Sequence, residues 1–266
     1  ACLVKILMPN LPLLLTLQEG EPLANQSMAT RFFRKLIIAK ADSFTAISNY
    51  LAEYVRSVRT TAEVSIIPNG VDVSVFERAS QSRERVREEL KIPSGGNVVI
   101  TISRLVTKNG VKNLIRAFAE LSADSVLVVI GDGPLAGDLR ELAHRLGVHD
   151  RIRWLGRVAP AEIPKYLSGA DIFARPSLSE GLGSAFLEAL AAGVPIVAPM
   201  VGGIPDFLSD GENGLVCISE DPDDIAVKIK KLVNEPKTRL RLGAAGKKMV
   251  QERYDWGDIA RSVAEV

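Results

Sequence analysis

Residues 177–199 read SLSEGLGSAFLEALAAGVPIVAP. This stretch opens with a glycine loop that holds Glu180, and the helical run that begins near Ser184 carries a second carboxylate, Glu188. Residues 195–198 then read as a short buried strand. A glycine loop of this kind leaves backbone N–H groups free at a helix N-terminus, where the helix dipole favours an anion. The pattern therefore predicts a phosphate site on the glycines, flanked by carboxylates that bind hydroxyl groups.

The composition narrows the class of protein. A chain of 266 residues with 47% hydrophobic residues can bury a large core, and a net charge of +1 argues against a nucleic-acid binder. The two cysteines, Cys2 and Cys217, are far apart and form no CxxC pair. This argues against a disulfide framework and against a zinc cluster, and it favours a reducing compartment. His144 and His149 are interpreted as surface or capping residues rather than metal ligands. No apolar run reaches the roughly 18 to 20 residues of a membrane span.

Short apolar strands alternate with amphipathic helices from residue 98 onward. The predicted strands are 98–102, 126–130, 152–155, 172–174, 195–198 and 215–218. The predicted helices are 111–121, 135–146, 162–168, 185–192, 205–209, 223–233 and 238–252. This alternation is typical of parallel βαβ units with helices on both faces of one sheet, so it predicts an α/β fold.

The chain before residue 74 contains a second group of such elements. Residues 12–17, 43–47 and 64–67 read as strands, and Ser48 is a predicted N-cap for a helix over 49–58. The polar, charge-dense segment 77–89 is the best candidate domain boundary.

The helix predicted over residues 28–40 allows two interpretations. It contains four basic residues and the pair Phe32 and Phe33. The first interpretation is an amphipathic surface helix with solvated charges. The second is a face that contacts a membrane or an acidic partner.

Three loops at the ends of predicted strands carry chemistry suited to phosphate. Arg104 follows the strand at 98–102 and can grip a phosphate with two hydrogen bonds, while Lys108 adds a point charge nearby. Residues 131–137 (GDGPLAG) resemble a dinucleotide glycine loop, although a tight turn explains them as well. Residues 202–205 (GGIP) are predicted to open a helix. These loops would meet at the carboxyl edge of a parallel sheet, where ligands bind.

The two glutamates also have alternative interpretations. Both could be surface charges, but Glu188 lies in a nearly apolar helix, where a carboxylate is seldom buried without a partner. They could be the acid and base of a hydrolase, which would require both to flank the bond that breaks. A ligand-binding role for Glu180 and Glu188 is favoured over both.

The segments EGLGSAFLE (180–188), ALAAGVPIVAP and GGIPD resemble the retaining glycosyltransferases of the GT-B fold. More narrowly they resemble glycosyltransferase family 4, the "glycosyl transferases group 1", whose signature is Glu, seven residues, Glu. Further matching segments are IIPNGVD (66–72), ISRLVTKNG (102–110), VVIGDGP (128–134), RIRWLGRV (151–158), DGENGLVC (210–217) and YDW (254–256). The resemblance spans residues 43–266 and reaches back more weakly to about residue 12.

The resemblance implies two facing Rossmann-like domains. Residues 1–73 would be the C-terminal part of the acceptor-side domain, with the start of that domain absent, and residues 74–252 the complete domain with a doubly wound parallel sheet that binds the nucleotide-sugar. Residues 253–266 would form a terminal helix that packs back toward the N-terminal part.

The resemblance also implies roles for individual residues. Glu180, Arg104 and Lys108 would be catalytic: Glu180 would contact sugar hydroxyls, and Arg104 would hold the diphosphate and stabilise the leaving group. Glu188 would accept hydrogen bonds from the ribose hydroxyls. The other implied substrate-binding positions are Gly181, Leu182, Gly183, Ser184, Asn109, Gly131, Arg157, Val158 and Gly203, with the base near Arg157 and Val158.

The sequence departs from the family pattern at three places. Asn109 stands where the family commonly has lysine, with Lys108 one residue earlier. Asp206 stands where a glutamate is usual, and Gln18 where a histidine is usual. The last departure concerns the chemistry on the acceptor side.

The sequence therefore predicts a retaining glycosyltransferase that uses a UDP- or GDP-linked sugar and a saccharide or lipid-linked acceptor. By the same resemblance it needs no metal and no other cofactor, and it is cytoplasmic, with peripheral contact at the inner face of the membrane left open. The first alternative is a donor-binding fragment with little transferase activity. A GT-B sugar-nucleotide epimerase or hydrolase comes next, and a dehydrogenase is disfavoured because no full GxGxxG follows an initial strand.

Overall fold

A computed structural model of the protein describes residue 5, residue 8, residues 10–19 and residues 27–264. The other residues of the predicted segments 1–73 and 253–266 lie outside the described residues. The strands are β1 (Leu14–Leu17), β2 (Ser43–Ala46), β3 (Val64–Ile66), β4 (Val98–Ile102), β5 (Val126–Ile130), β6 (Ile152–Gly156), β7 (Ile172–Ala174), β8 (Ile196–Ala198) and β9 (Gly214–Val216).

The helices alternate with these strands, as the sequence predicts. They are α1 (Met28–Lys40), α2 (Asn49–Val58), α3 (Val73–Ala79), α4 (Arg83–Glu89), α5 (Val111–Ala119), α6 (Ala136–Arg145), α7 (Ile163–Ser168), α8 (Ser184–Ala191), α9 (Pro222–Asn234), α10 (Pro236–Arg253) and α11 (Trp256–Ala264). The N-cap prediction at Ser48 is confirmed, since its Oγ accepts a hydrogen bond from the backbone N–H of Leu51.

The strands form two parallel sheets. The smaller sheet has the order β1-β2-β3, and the larger has the order β6-β5-β4-β7-β8-β9. In the larger sheet the chain starts at β4, runs outward to β6, and then returns to the other side of β4 at β7. This is the Rossmann strand order, and it leaves a crevice between β4 and β7 at the carboxyl edge, where the connections diverge. The predicted α/β, doubly wound fold class is confirmed.

Both faces of the larger sheet are buried, which explains its continuous apolar strands. Along β4, Val98 and Ile100 face one hydrophobic core, while Val99 faces the other. The first core contains residues of α8 such as Phe186, and the second contains residues of α5 such as Phe118. Side chains alternate because successive residues of a strand point to opposite faces.

The helix predicted over residues 205–209 is wrong. The structure has a single 3₁₀ turn there, Ile204–Asp206. Pro205 can start such a turn, but the backbone leaves helical geometry at Phe207. Phe207 and Leu208 are both buried in the first core, and consecutive apolar anchors of this kind favour an irregular segment over a surface helix.

The charge-dense segment 77–89 is folded against the larger sheet. Arg83 and Arg87 of α4 bind the buried carboxylate of Asp171, with N–O distances of 2.6 and 3.1 Å. Asp171 also accepts a hydrogen bond of 2.8 Å from the backbone N–H of Val98. Burial alone would raise the pKa of Asp171, but this hydrogen bond and the arginine charges outweigh it, so its pKa lies below the ordinary value. The ion pairs of Arg83 and Arg87 with Asp171 thus fasten α4 to the amino edge of the larger sheet.

The smaller sheet and the larger one are linked through residues near Asp206. The Asp206 carboxylate accepts a hydrogen bond of 2.8 Å from the Asn49 N–H at the start of α2, and its carbonyl accepts one from the Tyr254 hydroxyl. The Tyr254 carbonyl in turn accepts a hydrogen bond of 2.7 Å from the Val71 N–H. Trp256 of α11 lies so close to Gly70 that a Cβ there would come within 2.8 Å of its ring. The domain limits drawn from the sequence remain predictions.

Candidate functional site

A cleft of about 510 Å³ lies at the carboxyl edge of the larger sheet. Its walls come from the loops that follow β4, β5 and β6 and from one face of α8. They are formed by Ile102, Ser103, Arg104, Ile130, Gly131, Asp132, Gly133, Arg157, Val158, Pro160, Ile163 and Glu188. The cleft therefore joins five predicted site residues from distant parts of the sequence, namely Arg104, Gly131, Arg157, Val158 and Glu188.

The floor of this cleft depends on Gly131. Its φ is +127°, and a Cβ at this position would lie 1.8 Å from the carbonyl oxygen of Ser103. The loops after β4 and β5 are thus in backbone contact, and the N–H of Ser103 donates to Ile130 and that of Leu105 to Asp132. Any side chain at residue 131 would push the two loops apart, so Gly131 supports the cleft through its backbone.

The loop after β4 presents Arg104 at the cleft. Arg104 is exposed, whereas Asn109 is buried, with its Nδ2 donating a hydrogen bond of 2.7 Å to the Arg104 carbonyl. Asn109, an implied substrate-binding position, therefore braces the arginine loop with its side-chain amide. Lys108 is exposed and does not line the cleft, and its carbonyl accepts a hydrogen bond of 2.6 Å from the Leu178 N–H.

Glu188 projects from α8 into the cleft. Its neighbours Leu187 and Ala189 are fully buried, while Glu188 is only partly exposed. Burial raises the pKa of Glu188 above its ordinary value, and the charge of Arg175 opposes this increase. A partly desolvated carboxylate at the edge of a cleft is suited to accept hydrogen bonds from hydroxyl groups of a ligand.

Glu180 lies in the loop that precedes α8, and two hydrogen bonds fix its orientation. Its Oε1 accepts a hydrogen bond of 2.7 Å from Nη2 of Arg175 and one of 2.8 Å from Oγ of Ser177. The side chains of Arg175 and Glu180 are 7% and 12% exposed, so this is a largely buried ion pair. Sequence reasoning missed Arg175. The available signal was a lone arginine directly after the apolar strand β7.

The glycine loop before α8 presents its backbone to the site. Leu182 is 1% exposed and belongs to the first core, so only its backbone is available to a ligand. Gly183, with a φ of +86°, precedes the first turn of α8, and no side chain caps this turn. The Oγ of Ser184 accepts a long hydrogen bond of 3.5 Å from Nδ2 of Asn69. The uncapped N–H groups and the helix dipole make this end of α8 suitable for an anion.

The loop at residues 202–203 packs directly on the Glu180 loop. Gly202 has a φ of +57°, and a Cβ there would lie 1.9 Å from the Glu180 carbonyl oxygen. The same carbonyl accepts a hydrogen bond of 3.3 Å from the N–H of Gly203. The structure thus brings Gly203 to the Glu180 loop, as the sequence predicted, through backbone contacts.

Gln18, the departure that concerns the acceptor side, directly follows β1 of the small sheet. Thr16, Leu17, Gln18 and Glu19 line a separate cavity of about 400 Å³ together with residues of α1 and α2. Glu19 forms an exposed ion pair of 3.0 Å with Arg34. This cavity is distinct from the cleft at the larger sheet.

Among the described residues, neither cysteine nor histidine lines the cleft. Burial, together with Asp224, raises the pKa of the Cys217 thiol to about 12, and Cys2 lies outside the described residues. The rings of His144 and His149 stack 4.1 Å apart at the end of α6. Within the described ranges, no three His, Cys, Asp or Glu side chains converge to hold a metal ion. No helix in the described part of the chain is long and apolar enough to cross a membrane.

The family follows from comparison with known proteins. Residues 82–249, which include the cleft and both glutamates, match the family described as glycosyl transferases group 1. The chain belongs to this family.

Two curated relatives in this glycosyltransferase family match most of the chain. One is the GDP-mannose-dependent alpha-(1-6)-phosphatidylinositol monomannoside mannosyltransferase of Mycobacterium tuberculosis, which is 32% identical over 235 residues. The other is a D-inositol 3-phosphate glycosyltransferase of Corynebacterium efficiens, 33% identical over 230 residues. These matches cover 84% and 82% of the chain, but only 61% and 54% of the relatives' own length.

The fold is shared with a solved structure of Anabaena HepE, determined in complex with UDP and glucose. The TM-score is 0.89 at 22% identity, and the match covers 99% of this chain and 73% of HepE. Together with the strand order, this agreement shows a GT-B glycosyltransferase fold.

Glu180 and Glu188 should have separable effects on ligand binding. We expect Glu188→Ala to weaken nucleoside diphosphate binding about 10- to 100-fold, since hydrogen bonds to a charged group are lost. Glu180→Ala should leave that affinity nearly unchanged and reduce the preference for the intact nucleotide-sugar about tenfold. Isothermal titration calorimetry with the diphosphate and its sugar conjugate measures both quantities.

The pH dependence of the same titrations serves as a control. Glu188 accepts hydrogen bonds more strongly when it is ionised, and its pKa is raised, so wild-type affinity should begin to fall on acidification at a higher pH than an ordinary glutamate would give. Glu188→Gln should remove that acid-side loss. Equal loss of diphosphate affinity in Glu188→Ala and Glu180→Ala would contradict the assignment.

Proposed function

We propose that the protein transfers a sugar from a nucleoside diphosphate sugar to an acceptor hydroxyl, with retention of configuration at the anomeric carbon. The observation that carries this proposal is the cleft at the carboxyl edge of the larger sheet, which contains Arg104 and Glu188. The loop after β7, at the same edge, holds the paired carboxylate of Glu180 and leads to the uncapped N-terminus of α8. Membership of the glycosyl transferases group 1 family supports it.

The donor is bound by complementary groups along the cleft. Glu188 accepts hydrogen bonds from the ribose hydroxyls, and the base lies against Arg157 and Val158. The diphosphate lies between Arg104 and the N-terminus of α8, whose positive charge and backbone N–H groups oppose its negative charge. These groups perform the task that a divalent metal performs in other transferases, so donor binding is metal-independent.

The reaction follows from this arrangement. The bond between the anomeric carbon and the diphosphate oxygen breaks, and its electron pair leaves with the nucleoside diphosphate. Arg104 and the helix N-terminus stabilise the charge that develops on this leaving group, which is the usual role of preorganised donors in such a site. The acceptor oxygen attacks the anomeric carbon on the face that the leaving group vacates, and the acceptor's proton passes to the departing diphosphate oxygen on that face. Glu180 holds the sugar hydroxyls during this exchange.

The names of the relatives indicate which substrates to test first. One relative uses GDP-mannose, and both act on acceptors that contain inositol. We therefore propose GDP-mannose as the donor, with a UDP-sugar as the competing choice, and an inositol-containing lipid or phosphate as the acceptor.

A second candidate function is donor binding with little transfer activity. The observation that favours it is that the described cleft is formed entirely within residues 102–188 of the larger sheet's domain. Measured turnover of a nucleotide-sugar would favour sugar transfer, whereas binding without turnover would favour this second candidate.

Calorimetry with a panel of nucleotides tests the proposed function. We expect GDP or UDP to bind with a dissociation constant unaffected by EDTA, because Arg104 and α8 supply the positive charge. ADP and NAD should bind at least about tenfold more weakly, a difference of about 1.4 kcal/mol. Turnover of GDP-mannose, followed by release of GDP, then distinguishes transfer from binding alone.

Two outcomes would contradict this proposal. Binding of NAD in preference to GDP and UDP would indicate a dehydrogenase-type ligand, and strict dependence on a divalent metal would remove the role given to Arg104. Binding of GDP without turnover of any donor would favour the second candidate.

We also propose that α1 contacts an anionic membrane, as suits a lipid acceptor. Phe32 and Phe33 are 63% and 59% exposed, and Met28 beside them is 87% exposed. Lys35 and Lys40 on the same helix are also exposed. Exposed aromatic side chains next to lysines are typical of helices that lie in the membrane interface.

Sedimentation with phospholipid vesicles tests this contact. Wild-type protein should bind vesicles that contain phosphatidylinositol more tightly than neutral phosphatidylcholine vesicles, since each basic residue contributes about 1 kcal/mol near an anionic surface. The double variant Phe32→Ser, Phe33→Ser should bind at least about tenfold more weakly, because its apolar contact is lost. Unchanged binding of this variant would support the alternative of a solvated surface helix.

A further inference from the structure

We propose that Arg175 is a positioning residue for the sugar half of the donor. It holds Glu180 in one orientation through a buried ion pair. This inference rests on the proposed function and assigns a role within the same site.

Arg175 is fixed on every side at the end of β7. Its backbone N–H donates to the Val197 carbonyl, and its Nη1 donates a hydrogen bond of 2.9 Å to the Ile102 carbonyl at the end of β4. Its guanidinium carbon lies 4.2 Å from the ring centroid of Phe186. With Nη2 on Glu180, the side chain spans the crevice where the sheet order reverses. It has little rotational freedom.

The packing of this arginine argues against a purely structural role. Arg175 is 6% exposed, and its buried Nε finds no hydrogen-bond partner among the described residues. Burying a charge and leaving a polar atom unsatisfied both cost free energy. For stability alone, an apolar pair of similar volume is often as good as a buried ion pair or better. The arginine is therefore better explained by what its charge does at the cleft.

The charge of Arg175 acts on both carboxylates. It forms the ion pair with Glu180, and it lowers the pKa of Glu188 against the effect of burial. The charged groups that line the cleft beside Glu188 are Arg104, Asp132 and Arg157. Arg104 and Arg157 are exposed, so their charges are screened by water more strongly than that of buried Arg175. The buried charge of Arg175 thus acts on the two carboxylates rather than on the diphosphate.

The same contacts define the geometry of Glu180. Both donors, Arg175 and the fully buried Ser177, bind the same oxygen, Oε1. Oε2 is the oxygen that neither donor occupies. A carboxylate held in this way can orient a sugar hydroxyl without a further loss of rotamer freedom, and such orientation affects the reacting state more than ground-state affinity.

Binding and kinetics of Arg175→Met, Arg175→Lys and Arg87→Met test this role. Arg87→Met is the matched control because Arg87 also pairs with a buried carboxylate, Asp171, but at the opposite edge of the sheet. Each protein is titrated with GDP and with GDP-mannose, and with UDP and a UDP-sugar if wild type prefers uridine. The kcat and KM for donor turnover and the melting temperature are measured in parallel.

We expect Arg175→Met to bind GDP within about threefold of wild type, to lose about tenfold in preference for the intact donor, and to lose about 100-fold in kcat. Arg175→Lys should recover part of both losses, because it restores the charge without the two-sided grip. Arg87→Met should lower the melting temperature and leave the donor preference unchanged. If Arg175 had only a structural role, Arg175→Met would behave like Arg87→Met: it would lower the melting temperature and leave the donor preference unchanged.

A double variant separates action through Glu180 from an independent contact. If Arg175 acts by positioning Glu180, adding Arg175→Met to Glu180→Gln should change donor preference by less than about threefold beyond the single variant. If the double variant instead showed the product of the two single-variant losses in donor preference, the proposal would be overturned. Unchanged donor preference in folded Arg175→Met and Arg175→Lys would overturn it as well. Failure of wild type to bind any nucleotide would instead overturn the proposed function on which this inference rests.

Discussion

The site depends on one topological constraint, the reversal of strand order between β4 and β7. Connections on either side of this point lead away from each other, so no loop covers the crevice at the carboxyl edge. There Arg175 joins β7 to the β4 carbonyl of Ile102, and the loops that carry Arg104 and Glu180 follow these two strands. Close backbone contacts hold Gly131 against the Arg104 loop and Gly202 against the Glu180 loop. The sheet and these backbone contacts therefore set the positions of both loops.

Electrostatic balance gives the two glutamates different properties. Glu180 is paired with a buried arginine, whereas Glu188 is partly buried in an apolar helix and has a raised pKa. In the proposed complex these differences correspond to different tasks, with Glu180 at the sugar and Glu188 at the ribose. At the amino edge, Asp171 pairs with Arg83 and Arg87 and stabilises the same sheet away from the cleft.

Local sequence signals account for most of the fold. The strands at 98–102, 126–130 and 172–174 and the helices at 28–40 and 49–58 have the predicted limits, because apolar runs and helical periodicity depend on neighbouring residues. Features set by tertiary contacts were not predictable in this way. The contacts of Arg175 depend on β7 lying beside β4, since it bonds to Ile102, 73 residues earlier in the sequence. For the same reason, the sequence does not show that Arg83 and Arg87 of the polar segment 77–89 meet Asp171.

A crystal structure of the protein with an intact nucleoside diphosphate sugar tests the central claim most directly. The account predicts ribose hydroxyls within hydrogen-bonding distance of Glu188, the diphosphate between Arg104 and the N-terminus of α8, and the sugar beside Glu180 with the Arg175 ion pair intact. A nucleotide bound outside the cleft, or in it with its base against Glu180, would contradict the account.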